Sequence, residues 1–122
     1  QDSKFKLEFI TEIMASKEMY LARYYVERQK WIPAINRFKN IVKNYDTSIY
    51  IEEALHRLVE IHYKIGLSKE AEKYAILLGY NYQSSMWYEA SYKILNKKYK
   101  PKRIKKDDKK KSILTNLKEL FK

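Results

Sequence analysis

Residues 20–45 read YLARYYVERQKWIPAINRFKNIVKNY, and their periodicity is that of two helices folded back on each other. On the first, Leu21, Ala22 and Tyr25 share a face at i, i+1 and i+4. On the second, Ile35, Phe38, Ile41, Val42 and Tyr45 recur at spacings of three and four. The pattern predicts a turn at residues 30–31 and a second helix over 32–44. Pro33 falls in that helix's first turn, where a missing N–H costs little. Ala34 is small enough to let the two backbones approach. No glycine stands at the turn, so Gln29 or Lys30 is expected to carry strain at the helix end.

The hairpin recurs 37 residues later. Leu21 falls on Leu58, Ala34 on Ala71, Ile41 on Leu78 and Tyr45 on Tyr82. Ala22, Tyr25, Ala34 and Phe38 make one copy of the tetratricopeptide pattern; Val59, His62, Gly66, Ala71 and Ala75 make a weaker second. The period exceeds the usual ~34 residues, an excess placed in the connection between repeats. An unrelated helical bundle is the alternative, and it would not need such a repeat. The expected fold is all-α: a tetratricopeptide-like α-solenoid of antiparallel helix pairs with a terminal capping helix.

Working outward, residues 3–29 read as one helix whose stripe is Phe9, Ile10, Ile13, Met14, Leu21, Ala22 and Tyr25. It is longer than a repeat needs, so its first half, with Phe5 and Phe9, is expected to be partly exposed or covered by something else. Thr47 or Ser48 is expected to cap a third helix over 49–65, closed by Gly66. Ser68 is expected to cap a fourth over 68–78, with Gly79 beyond its end. A fifth begins near Met86 and runs to about residue 96. Residues 1–96 thus form the repeat domain, 97–111 a basic flexible tail and 112–122 a short amphipathic helix. The chain opens without Met and in mid-pattern, as a fragment or processed product would.

The totals narrow the function. The 122 residues allow one domain with a modest core. Two glycines and two prolines leave few turns, which excludes most β-rich folds. Cysteine is absent, so no disulfide or thiolate metal site can form. No apolar run approaches the ~18 residues of a membrane-spanning helix. The net charge of +11 is local: residues 97–111 carry ten Lys or Arg against two Asp, so they alone hold +8. The candidate tail residues are Lys105, Lys106, Lys109, Lys110 and Lys111.

Catalytic chemistry finds no footing. Gly66 and Gly79 are the only glycines, so no phosphate-cradling loop can be written. His56 and His62 lie six apart on one helix, which rotates them about 120° from each other. They are expected to be packed rather than metal-binding. Glu52 and Glu53 are adjacent and diverge, as solvated or dipole-compensating residues do. No cofactor and no enzyme activity are expected. Surface recognition is the better prospect. Arg37 lies beside the Asn36 amide and can grip a carboxylate with two parallel hydrogen bonds. That carboxylate is either a partner's or an internal one, Glu27 or Glu53.

The blocks EMYLARYYVERQKWIPAINRFKNIVKNY, EEALHRLVEIHYKIGLSKEA and LGYNYQSSMWY closely resemble the BamD family, also called ComL or YfiO. The markers are Glu18 with Tyr24-Tyr25, the block Ala34 to Phe38, Glu53-Ala54-Leu55, and Asn81-Tyr82 with Trp87-Tyr88. The resemblance covers about residues 3–95 and corresponds to the family's C-terminal half. It implies a tetratricopeptide lipoprotein at the periplasmic face of the outer membrane of Gram-negative bacteria, held by an N-terminal lipid anchor absent from this chain. It implies a non-catalytic scaffold of the β-barrel assembly (BAM) machinery. The implied partner is the membrane-proximal POTRA domain of the BamA-type barrel subunit, with other BAM lipoproteins as further partners. Arg37 occupies the position of the arginine that meets an acidic residue of that domain. Asn36, Asn40, Glu53 and Arg57 complete the candidate partner-binding set.

The lysine tail and last helix depart from the best-known members. A generic peptide-binding adaptor is the alternative reading. Nucleic-acid or acidic-surface binding through residues 97–111 is a third, restricted to the tail by the nearly neutral remainder. For residues 112–122, docking on a partner or on the solenoid, resting on a membrane surface, and a frayed end all remain open.

Overall fold

The computed structural model describes residues 2–83 and 85–95. The expected basic tail, with Lys105, Lys106, Lys109, Lys110 and Lys111, and the amphipathic segment 112–122 lie outside the described residues. Five helices follow in order: α1 (Asp2–Glu27), α2 (Trp31–Asn44), α3 (Ile51–Lys64), α4 (Ser68–Asn81) and α5 (Met86–Leu95). Helix α1 packs along α2, α2 also against α3, α3 against α4 and α5, and α4 against α5. This is the tetratricopeptide-like stack of helix pairs.

The 37-residue period is written into the backbone. Helices α2 and α4 both begin and end 37 residues apart, and α1 and α3 end 37 residues apart. The two turns match as well. Gln29 sits at φ 57° and Gly66, 37 residues on, at φ 89°. After each, an N–H reaches back to close the helix: Lys30 to the Tyr25 carbonyl at 2.9 Å and Leu67 to the His62 carbonyl at 2.8 Å. The left-handed residue aims the chain back along its own helix, which makes the pairs antiparallel. The strain expected at the glycine-free turn is therefore real and falls on Gln29.

The core is built from the repeat positions. Ala22, Ala34, Phe38 and Ile41 of the first unit, and Val59, Ala71, Ala75 and Leu78 of the second, are fully buried. Ala34 and Ala71 are buried in the first turns of α2 and α4, and each donates its N–H to the carbonyl four residues before it, Lys30 at 3.2 Å and Leu67 at 3.0 Å. These are the first helical bonds of α2 and α4. Pro33, one residue earlier, would have had no such partner.

Several expectations are corrected. In α1 the buried line is Ala15, Met19 and Ala22, rotated from the expected stripe. Ile10, Ile13 and Met14 are exposed and Leu21 and Tyr25 only half-buried, while Phe5 and Phe9 are exposed as expected. The cause is that, among the described residues, α2 is the helix packed along α1, so only one narrow face is covered. Gly79 does not follow α4 but lies inside it and buried, because a Cβ there would overlap the Tyr88 ring of α5. Thr47, Ser48 and Ser68 cap nothing: the N-caps are Tyr50 and Leu67, without side-chain hydrogen bonds. Ser48 is buried instead, its hydroxyl without a partner among the described residues. The neighbouring Ile49 N–H donates to Glu12 of α1 at 3.2 Å.

Candidate functional site

Helix α2 buries Ala34, Ile35, Phe38, Ile41 and Val42, which turns Asn36, Arg37 and Asn40 away from the core. Across from them, α1 buries Met19 and Ala22 and leaves Glu18 and Tyr25 at the edge of the helix contact. The result is an open cleft of about 400 Å³ lined by Glu18, Tyr25, Ile32, Pro33, Asn36, Arg37 and Asn40. One end is apolar, from Ile32, Pro33 and the Tyr25 ring; the other carries the guanidinium, a carboxylate and two amides. Asn40 accepts a hydrogen bond from the Asn44 amide one turn on.

Arg37 and Glu18 dominate the polar end. Arg37 Nη1 donates to Glu18 Oε1 at 3.1 Å and, less directly, to Oε2 at 3.4 Å. The arginine side chain is 41% exposed and the carboxylate only 14%. Neither expected internal partner, Glu27 or Glu53, is the one used. A hairpin turning at Gln29 sets residue 18 opposite residue 40, so register alone brings Glu18 within reach of Arg37. The same register leaves Glu27 at the turn.

Glu53 and Arg57 do not line this cleft. They belong to a second polar cluster that ties the first helices of successive repeats together. Arg23 of α1 grips Glu53 of α3 with two bonds, Nε to Oε2 at 3.1 Å and Nη2 to Oε1 at 2.7 Å. Arg57 lies 3.8 Å from Glu53 and 3.3 Å from Glu60, with its guanidinium 5.7 Å from the centre of the Trp87 ring of α5. Glu53 is therefore an ion-paired brace rather than a solvated residue.

His56 is buried beside this cluster. Ser91 donates its one hydroxyl proton to the Trp87 carbonyl at 2.9 Å, so His56 Nδ1, 2.9 Å away, is the donor to Ser91 Oγ. With a proton on Nε2 as well, His56, 3.6 Å from Glu60, holds that carboxyl below its ordinary value, against its partial burial and with help from Arg57. Serine, histidine and glutamate are thus in line. Ser91 is fully buried and already committed to a backbone carbonyl, so the set joins α3 to α5 and presents no nucleophile.

His62 fills the tyrosine position of its repeat as a packed residue. Its Nδ1 donates to the Leu58 carbonyl at 2.7 Å, and its ring lies 5.2 Å from that of Tyr74. Burial pushes its pKa down, opposed by the Leu58 bond. Among the described residues no group of three or more His, Asp or Glu is placed to hold a metal. None of the described helices is long and apolar enough to cross a membrane.

The sequence-predicted site thus divides. Asn36, Arg37 and Asn40 come together in one cleft; Glu53 and Arg57 stand in another cluster. Reasoning from sequence missed Glu18, Tyr25, Ile32 and Pro33 as cleft walls, and hairpin register was the signal that could have found them.

Comparison with known proteins follows the same part of the chain. The family described as "YfiO: Outer membrane lipoprotein" matches residues 1–77. Two curated relatives are each called "Outer membrane protein assembly factor BamD". The one from Rickettsia prowazekii is 42% identical over 94 residues, covering 77% of this chain and 38% of the relative. The one from Caulobacter vibrioides is 37% identical over 95 residues, covering 78% of this chain and 31% of the relative. The chain therefore spans about a third of the length of these relatives. No solved structure matches it.

Proposed function

The chain belongs to the YfiO outer membrane lipoprotein family, and from that membership we propose that it is a non-catalytic scaffold segment of outer-membrane protein assembly. It works at the periplasmic face of the outer membrane. It docks the membrane-proximal POTRA domain of a BamA-type barrel subunit through the cleft between α1 and α2. The observation that carries this reading is Arg37: a half-exposed guanidinium at the mouth of an open cleft, flanked by Asn36 and Asn40. A guanidinium with free donors is suited to a carboxylate on another protein, and the apolar end of the cleft is suited to a neighbouring aliphatic side chain. Glu53 and Arg57 contribute at one remove, by bracing α1 and α3 in register.

The test is calorimetric binding of this chain to the POTRA domain of its own barrel subunit, beside Arg37→Glu, with circular dichroism to establish that both are folded. Wild type binds, and Arg37→Glu loses more than about tenfold, roughly 1.4 kcal/mol. A folded wild type that does not bind overturns the reading.

A further inference from the structure

We propose that Glu18 is a specificity residue of the cleft: it holds the Arg37 guanidinium in place while cancelling most of its charge, so that a carboxylate alone is a poor ligand. As a statement about the partner this rests on the docking reading above; as a statement about the cleft it does not.

The geometry is asymmetric. Both contacts from Glu18 fall on one nitrogen, Nη1. Nε and Nη2 of Arg37 engage no described residue. Those two nitrogens form the edge of a guanidinium that pairs bidentately with a carboxylate. A ligand carboxylate therefore has a complete docking edge without displacing Glu18. It must nevertheless approach a pair whose net charge is already zero. Two carboxylates on one guanidinium repel each other, and in a partly exposed cleft that repulsion is worth about threefold to tenfold in affinity.

Exposure assigns the roles. Glu18 is the recessed member at 14% and Arg37 the presented one at 41%. Glu18 approaches from α1 and Arg37 from α2, so the pair spans the helix contact and braces the cleft wall. A bare arginine would attract any acidic surface. With Glu18 present, binding needs the rest of the cleft as well: an apolar group against Tyr25, Ile32 and Pro33, and hydrogen bonds to Asn36 and Asn40. The ligand class is an acidic side chain with an adjoining aliphatic one, on a pre-formed surface.

Glu18→Gln tests this, because the amide oxygen still accepts from Nη1 while the charge is gone. Two probes are used on the full chain. The first is propionate, the carboxylate of a glutamate side chain, followed through the Arg37 Nε–H resonance. Its midpoint in Glu18→Gln is expected at least threefold below that of wild type. Equal midpoints overturn the proposal whatever the partner does.

The second probe is the POTRA domain in calorimetry, with wild type, Glu18→Gln, Arg37→Gln and the double variant. Glu18→Gln is expected to bind at least threefold tighter at low salt and to lose affinity more steeply as salt rises. That gain disappears in the Arg37→Gln background. A gain that survives without Arg37 overturns the proposal, since Glu18 would then act on the partner directly. Weaker binding by a folded Glu18→Gln overturns it too, and makes Glu18 a brace only. A shift with propionate and no binding of the POTRA domain by any variant supports the cleft chemistry and rejects the docking reading.

Discussion

Gln29 and Gly66 do the same task with different residues, since both occupy the left-handed position that ends the first helix of a repeat. For a side chain with a Cβ that conformation costs about 1–2 kcal/mol. Glycine avoids it but loses about 0.5–1 kcal/mol in chain entropy. Gln29→Gly is therefore expected to stabilise the fold by about 0.5–1 kcal/mol in urea unfolding. Gly66→Ala is expected to cost about 1 kcal/mol; nothing lies within 4 Å of a Cβ there, so that change reads backbone strain alone. His62 supplies a pH-dependent contribution. Its folded pKa lies below the ordinary 6.5, chiefly because it is buried. The unfolded chain thus takes up a proton that the folded chain refuses until lower pH. The stability held by neutral His62 is complete above 6.5 and is lost as pH falls through the folded value. The gap in melting temperature between wild type and His62→Gln should shrink from pH 7.5 to pH 5.5. A constant gap would sink this assignment. The left-handed turn was legible in the sequence, because a helix end with no glycine must place some other residue there. The pairing of Arg37 with Glu18 needed the register of the whole hairpin.

Between elements, Gly79 lets the Tyr88 ring of α5 pack directly on the backbone of α4. Read along the chain, glycine after Leu78 resembles a helix stop, and only the Tyr88 ring packed on it reveals the other role. Gly79→Ala gains about 1 kcal/mol of helix propensity but pushes a methyl into that ring. A net loss of about 1–2 kcal/mol is expected, with a changed near-ultraviolet circular dichroism signal from the displaced tyrosine. An unchanged or raised melting temperature would mean that α5 shifts freely. The α1 stripe was misread for a related reason. Apolar residues lie around much of α1, so periodicity alone could not choose the covered face, and α2 chose Ala15, Met19 and Ala22. In α2 the apolar and polar faces are cleanly separated, and Ile35, Phe38, Ile41 and Val42 are buried as expected.

Across the whole molecule, the first half of α1 stands out from the stack with Phe5, Leu7, Phe9 and Ile10 more than half exposed. An apolar surface of that extent promotes association. Sedimentation should show self-association of the isolated chain, relieved by Phe5→Ser, Phe9→Ser and Ile10→Ser together. The melting temperature should change little, because these side chains bury little area. Self-association that the triple change leaves intact would place the contact elsewhere. The ion pair that links α1 to α3, Arg23 with Glu53, has a half-exposed arginine and adds only about 0.2–1 kcal/mol, so it sets register more than stability. The sequence by itself determined the helix pairs, their 37-residue period, the core of α2 and the family. The first three follow from spacing along one chain, where a helix places residues three and four apart on one face; the family follows from the resemblance of whole blocks such as Ala34 to Phe38. Only the tertiary structure decided which face of α1 is covered, why Gly79 must be glycine, and that Glu18 partners Arg37 while Glu53 partners Arg23. Each of these depends on which side chain of a second helix arrives at a given point, and no spacing within one helix records that.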